Sequence, residues 1–257
     1  MKTEQKLLKE FYNYFYTIYS HGEIATTETR NIVDTLTDYH FSKNELNTDD
    51  YDIIFHLDNS LGKNLISASM TPDMKYFNKY NVSLDPKRMH ITRRISFNPE
   101  DFTVENKDQL ISIMFFLTTT CHELQHIVQF ENMPELACHS YSTLCSIQYT
   151  IKEYQNSKDK KYLKRLNRYN DIFQIYSDME KDADKASYAT MFEILEKLIG
   201  IAKTSRNQDF ADFLGVCHDC VQFIYDDRKV GWKIYNELYK QLRKEMKKHY
   251  NIETTLN

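Results

Sequence analysis

Residues 110–130 read LISIMFFLTTTCHELQHIVQF, and in this stretch an apolar run leads directly into a polar motif. The run LISIMFFL at 110–117 is far shorter than the roughly 20 residues needed to cross a bilayer, so it predicts a buried helix and no membrane span. The apolar spacing continues past the motif, which predicts one helix over 106–131. This helix presents His122-Glu123-Leu124-Gln125-His126 near its end.

The segments before this helix predict two helices and then a small sheet. Residues 4–19 and 26–41 have apolar side chains at helical spacing, so the part from 1 to 48 is predicted to be helical. Three strand-like runs follow between 49 and 98: YDIIFHL at 51–57, NLISASM at 64–70 and MHITRRISF at 89–97. A turn-rich segment separates the first two, and a loop around Pro86 precedes the third. The run at 89–97 alternates apolar and polar residues, which is typical of a half-exposed edge strand.

The chain after Pro99 is predicted to be helical throughout. Helical periodicity covers four further segments: 134–155, 161–199 with a break near 170, 207–224 and 229–249. No linker or internal repeat interrupts the chain, so we predict a single domain over 1–257. Its fold class is α+β and mostly helical: a small mixed or antiparallel sheet is followed by the 106–131 helix and a helical part over 134–250.

Composition narrows the class of protein. A net charge of −4 and a pI near 6.1 give no general attraction to phosphate backbones or anionic lipids, so we expect neither a nucleic-acid nor a membrane partner. The charged and aromatic start lacks a secretory signal, which predicts a cytoplasmic protein. The five cysteines fit reduced thiols, and the CxxC at 217–220 lacks the second pair that a zinc ribbon needs. The sequence does not indicate an oligomeric state.

The motif HELQH has the spacing of a metal-binding helix. Residues four apart on a helix share a face, so His122 and His126 can offer ring nitrogens to one ion. Glu123 is rotated by about 100 degrees and can reach water beside the ion, which suits a general base. The alternative is an ordinary polar helix face with solvated or paired histidines. We favour a zinc site, because the motif ends a strongly apolar helix.

A catalytic zinc site needs a third protein ligand and an open position for water. The metzincin signature would place Gly and His where this chain has Gln129 and Asn132, so that class is excluded. His139 is one candidate for the third ligand. The favoured candidate lies in EKDAD at 180–184, where Glu180 and Asp184 share a helix face and one carboxylate can bind zinc while the other orients a histidine.

These two motifs together resemble the gluzincin metallopeptidases, whose pattern is HExxH followed by ExxxD. The resemblance implies a zincin-like fold, with His122, His126 and Glu180 as zinc ligands, Glu123 as the base and Asp184 as the partner of a ligand. It also implies hydrolysis of peptide bonds in a peptide or protein substrate, through a water activated by zinc. Gluzincins usually add a His or Tyr that stabilises the oxyanion, and Tyr188 and His218 are the candidates for this role. In zincins an edge strand receives the extended substrate, which implies docking along 89–97.

Two other functions stay open from the sequence. The first is a zincin-like regulatory or binding module with weak or no turnover, although an intact Glu123 argues against a lost active site. The second is a helical interaction protein in which HELQH arose by chance, and the zinc content of the purified chain would separate it from both zincin hypotheses.

Overall fold

The structure is a computed structural model that describes residues 2–21, 26–57, 68–73, 75, 78–84, 104–133, 153–154, 156–159, 161–162 and 170–250. The chain divides into two compact units. One comprises Met1–Val128 with Ala183–Ile224, and the other comprises Gln129–Asp182 with Tyr225–Asn257. Each boundary falls inside a helix. The single domain over 1–257 stays a prediction.

The first unit begins with two helices, α1 (Glu4–His21) and α2 (Thr26–Lys43), as the apolar spacing predicted. α1 buries one apolar stripe that includes Leu7, Phe11 and Phe15. Phe11 meets Tyr39 of α2 edge to face, with ring centroids 5.8 Å apart. Fully burying side chains of this size stabilises the pair by roughly 1.5–3 kcal/mol each, which holds α2 in place against α1.

A three-stranded mixed sheet follows, and it confirms the predicted sheet in outline. The strands are β1 (Asp52–Leu57), β2 (Ala68–Pro72) and β3 (Lys79–Leu84) in the order β1-β3-β2. β3 pairs in parallel with β1, with Phe55 opposite Val82, and antiparallel with β2, with Met70 opposite Val82. Tyr51, just before β1, contacts Phe41 of α2 and Tyr80 of β3 through its ring, so the sheet is docked on α2.

The central strand of this sheet, β3, was not predicted from the sequence, where no strand was expected between 70 and 89. β3 reads KYNVSL and alternates strictly, with Tyr80, Val82 and Leu84 buried. Its intervening residues include Asn81 and Ser83, which have little strand preference. These polar residues are common in loops, so the alternation of apolar and polar residues was not recognised as a strand. The predicted strand at 89–97 lies outside the described residues.

Three long helices complete the described part: α3 (Val104–Asn132), α4 (Asn170–Thr204) and α5 (Gln208–Tyr250). α3 confirms the helix predicted over 106–131, and the predicted break near 170 coincides with the start of α4. The helix predicted over 134–155 falls almost entirely outside the described residues. Together these elements establish a mostly helical α+β fold in which a mixed sheet precedes long helices. None of the helices described is long and apolar enough to cross a membrane.

The break predicted between 224 and 229 was wrong, because α5 runs through it without interruption. The segment reads IYDDRK and contains neither Gly nor Pro, so nothing in the backbone stops a helix there. Asp226 and Lys229, three residues apart, form an ion pair at 3.1 Å on the helix surface. The loss of apolar periodicity in this segment reflects solvent exposure and not the end of the helix.

Candidate metal centre

The motif HELQH lies in the last third of α3, within a helix whose side chains are mostly buried. The apolar run predicted this, since Leu110, Met114 and Leu117 are all in the core. His122 is 8% exposed and Glu123 is 7% exposed, whereas His126 is half-buried. Two ionisable groups with so little solvent access require partners in the protein, because burying an unpaired polar group is costly.

The two motif histidines face each other across one helical turn. Their Nε2 atoms are 3.1 Å apart, and the rings are perpendicular with centroids at 4.7 Å. Two nitrogens bound to one tetrahedral zinc ion at about 2.0–2.1 Å would be roughly 3.3 Å apart. The spacing of His122 and His126 therefore fits two ligands of a single ion.

Asp184 of α4 holds the other nitrogen of His122. Nδ1 of His122 lies 2.9 Å from Oδ1 of Asp184, and both side chains are buried. Donation from Nδ1–H to the carboxylate fixes the tautomer, so Nε2 carries the lone pair and points at His126. The resemblance implied a contact of this kind for Asp184, whose role as the partner of a metal ligand stays a prediction.

Glu180, one turn before Asp184 on the same helix, completes a group of three ligands. The ligand atoms of His122, His126 and Glu180 all lie within 4.8 Å of one another. Two imidazole nitrogens and one carboxylate form a donor set of the kind that binds a transition-metal ion. The three residues form a group that can hold a metal ion. Among the residues that the structure describes, no other cluster of this kind is found.

Gln129 was not predicted to contribute to the site. Its side-chain amide donates to the backbone carbonyl of Met179 and to Oδ2 of Asp182, both at 2.8 Å. These two acceptors flank Glu180 in the sequence, so Gln129 fixes the turn of α4 that carries this carboxylate. The sequence does place Gln129 near the site, because it follows His122 by two turns of α3 on the same helix face.

A second unpredicted contact involves His40 of α2, which is 1% exposed. Its Nε2 lies 2.9 Å from Oε1 of Gln125, inside the motif, and its Nδ1 lies 3.2 Å from both Thr190 Oγ1 and Cys121 Sγ. Burial lowers the pKa of His40 to about 4, so the ring is neutral at pH 7. Burial also raises the pKa of the Cys121 thiol to about 12, which excludes a reactive thiolate at neutral pH.

Two predicted oxyanion residues lie at different places in the fold. Tyr188 is buried on α4, four residues after Asp184 and on the same helix face. His218 of α5 lies 3.9 Å from Glu196, and its ring is 4.8 Å from that of Phe192. Phe192 is eight residues beyond Asp184, or about 12 Å along the axis of α4. Both oxyanion roles stay predictions, and His139 lies outside the described residues.

Comparison with known proteins does not identify a family. No protein-family model, curated protein or solved structure matches this chain. The assignment of function therefore depends on the metal-ligand group and the residues that support it.

Proposed function

We propose that this chain is a zinc-dependent metallopeptidase of the gluzincin type. The observation that carries the proposal is the convergence of His122, His126 and Glu180, whose ligand atoms lie within 4.8 Å of one another. The three residues come from two helices and from motifs more than 50 residues apart in sequence. Such a meeting is expected for a ligand set and is uncommon for solvated charges on helix surfaces.

The donor set defines what each residue would do with zinc. His122 and His126 would bind through Nε2, and Glu180 would bind through a carboxylate oxygen. When bound in a site with an open position, zinc lowers the pKa of water to about 7 and polarises a substrate carbonyl. Asp184 holds His122 in the required tautomer at 2.9 Å, which also makes the ring a better electron donor.

Glu123 is the proposed general base. It follows His122 directly, so its side chain projects about 100 degrees around α3 from that ligand and has no place in the ligand set. Its buried carboxylate would take a proton from water and pass it to the leaving amine as the peptide bond breaks. Tyr188 is the better placed of the two candidates for the oxyanion, since it shares the face of α4 that carries Asp184.

The proposed substrate is a peptide or protein in extended conformation. Hydrolysis of an amide needs both a base and stabilisation of the oxyanion, and the chain supplies candidates for each. Docking of the substrate along 89–97, which lies outside the described residues, stays part of the proposal.

The decisive experiment measures zinc content and peptide cleavage on the same preparation. The chain is purified without chelator, zinc is quantified by mass spectrometry, and cleavage of a peptide library is followed with and without a chelator. We expect about one zinc per chain and cleavage that chelation abolishes and added zinc restores. A zinc-free preparation that takes up no added zinc would refute the metal site. Bound zinc with no cleavage would favour the regulatory-module alternative.

A further inference from the structure

A buried polar junction lies beside the metal-ligand group and takes no part in the chemistry described so far. It joins three helices: His40 comes from α2, Cys121 and Gln125 come from α3, and Thr190 comes from α4. All four side chains are buried. Helix packing alone needs no polar group here, and an apolar side chain in place of His40 would avoid the cost of dehydrating an imidazole.

The hydrogen bonds of the junction are satisfied by one tautomer of His40. Oε1 of Gln125 can only accept, so Nε2 of His40 carries the proton and donates to it at 2.9 Å. Nδ1 then has one lone pair to accept with, and the Thr190 hydroxyl and the Cys121 thiol, each 3.2 Å away, are the two donors that share it. A buried hydrogen-bond network restricts the arrangement of the groups it joins.

The junction holds the motif helix on the flank opposite the proposed base. On α3, Gln125 is rotated by about 60 degrees from His122 in one sense, and Glu123 by about 100 degrees in the other. Gln125 is also the immediate neighbour of His126. The hydrogen bond from His40 to Gln125 therefore restricts the rotation of α3 about its axis. The rotation of α3 determines the direction of both ligand histidines.

The same junction reaches α4, the helix that contributes the remaining groups of the site. Thr190 lies six residues beyond Asp184, within two turns of the carboxylate that holds His122. His40 thus contacts the ligand-bearing helix α3 and the carboxylate-bearing helix α4 at once, from a third helix. The direction of His122 depends on the relative placement of α3 and α4 at this level, because α3 carries His122 and α4 carries the carboxylate that holds it.

We propose that His40 is a positioning residue for the metal centre and acts through Gln125 and Thr190 to fix the direction of the ligands on α3. The inference rests on the proposed function, since it concerns the same zinc site. His40 touches neither the ion nor the substrate in this proposal. Its effect is on the affinity and the geometry of the bound metal.

The test compares variants that remove the contact from either side. His40→Leu and Gln125→Met each replace a polar side chain with an apolar one of similar size. His40→Gln keeps an N–H donor near the place of Nε2. Thr37→Val is the matched control, because Thr37 is buried on α2 one turn earlier and its hydroxyl donates to the carbonyl of Val33 in its own helix.

Two measurements are made on each folded protein: the zinc dissociation constant, by competition with a chromophoric chelator, and the visible spectrum with Co²⁺ in place of zinc. We expect His40→Leu and Gln125→Met each to weaken zinc binding by about 10-fold or more and to change the Co²⁺ bands. The double variant should bind no more weakly than the worse single variant, since both remove one interaction. His40→Gln should recover much of the affinity, and Thr37→Val should stay within about twofold of wild type.

Additive losses in the double variant, or wild-type affinity and Co²⁺ bands in both single variants, would overturn the positioning role. If His40→Leu does not fold, Gln125→Met and His40→Gln decide the question by the same two measurements. A wild-type chain that binds neither zinc nor Co²⁺ would overturn the proposed function together with this inference. A wild-type chain that binds zinc alongside insensitive variants would overturn the inference alone.

Discussion

Nδ1 of His122 lies 2.9 Å from Oδ1 of Asp184, and this buried contact joins the helix of the HExxH motif to the helix of the EKDAD motif. It gives the two carboxylates of α4 different surroundings, although they are only one turn apart. Asp184 is buried against a histidine, whereas Glu180 is half-buried and has a carboxylate oxygen within 4.8 Å of a ring nitrogen of both motif histidines. The geometry thus gives the two carboxylates different neighbours, which is the basis for proposing that Asp184 orients a ligand and Glu180 serves as one.

Substitution of these two carboxylates should have unequal effects on zinc. Glu180→Gln removes an anionic ligand, so zinc binding should weaken by more than about 100-fold. Asp184→Asn leaves the three ligands in place and only loosens the orientation of His122, so the loss should be about 10 to 100-fold. Zinc dissociation constants from chelator competition check both values. Equal losses in the two variants would contradict the assignment of roles.

The two motif histidines should be required for zinc in a way that other histidines are not. His126→Ala removes one of the two facing Nε2 atoms and should leave less than about one tenth of the wild-type zinc content. His218→Ala is the control. His218 lies on α5, and its neighbours Glu196 and Phe192 lie on α4 more than two turns beyond Glu180. Metal analysis of both variants after identical purification is the measurement. Zinc loss in His218→Ala would show that the site has been assigned to the wrong residues.

The base should be separable from the ligands. Glu123→Gln is nearly isosteric, so fold and zinc content should be retained, while turnover of a peptide substrate should fall by about 100-fold or more because the amide cannot take a proton. Circular dichroism and zinc analysis control for fold and metal. Undiminished cleavage by this variant would assign the base to another residue.

The metal-ligand group could be predicted from sequence because its rules are local. Two histidines four apart must share a helix face, and so must two carboxylates four apart. That these two faces meet depends on how α3 and α4 pack, which the sequence suggested only through the resemblance to gluzincins. The structure supplied the distances, including the 3.1 Å between the two Nε2 atoms.

The supporting residues could not be predicted, because their partners are distant in sequence. His40 and Gln125 are 85 residues apart, and no local pattern connects them. The central strand at Lys79–Leu84 was missed for a different reason, since its alternation is short and its polar positions suit a loop as well as a strand. The continuity of α5 was missed because an exposed helix has no apolar stripe to follow.

His40 should make stability depend on pH in a defined window. Its pKa is about 4 in the folded chain, where burial favours the neutral ring, and about 6.5 when the chain is unfolded. The unfolded state therefore takes up a proton first as the pH falls. The contribution is fully present above pH 6.5 and is lost as the pH falls from 6.5 to about 4, and it amounts to about 3 kcal/mol.

Removal of this histidine should flatten that part of the stability profile. Urea unfolding of the metal-free chain gives the free energy of unfolding at pH 4, 5, 6 and 7. The decrease between pH 7 and pH 4 should be smaller by about 3 kcal/mol in His40→Gln than in wild type. Thr37→Val should follow the wild-type slope, because it changes no titratable group. Parallel curves for wild type and His40→Gln would mean that folding does not lower the pKa of His40.

Gln129 should stabilise the turn of α4 that carries Glu180, and a swap of donor and acceptor tests this directly. In the wild-type chain the amide nitrogen of Gln129 lies 2.8 Å from both the Met179 carbonyl and the Asp182 carboxylate. Gln129→Glu replaces this donor with a carboxylate that faces the same two acceptors. Gln129 is buried, so the lost hydrogen bonds and the new repulsion should lower the free energy of unfolding by about 2 kcal/mol or more. Adding Asp182→Asn restores a donor–acceptor pair in the opposite sense and should recover part of the loss.

Zinc affinity should follow the same order as stability in these variants, because the position of Glu180 depends on this turn. The measurements are urea unfolding without metal and chelator competition with zinc, and a double variant no better than Gln129→Glu in both would show that the contact with Asp182 has no role.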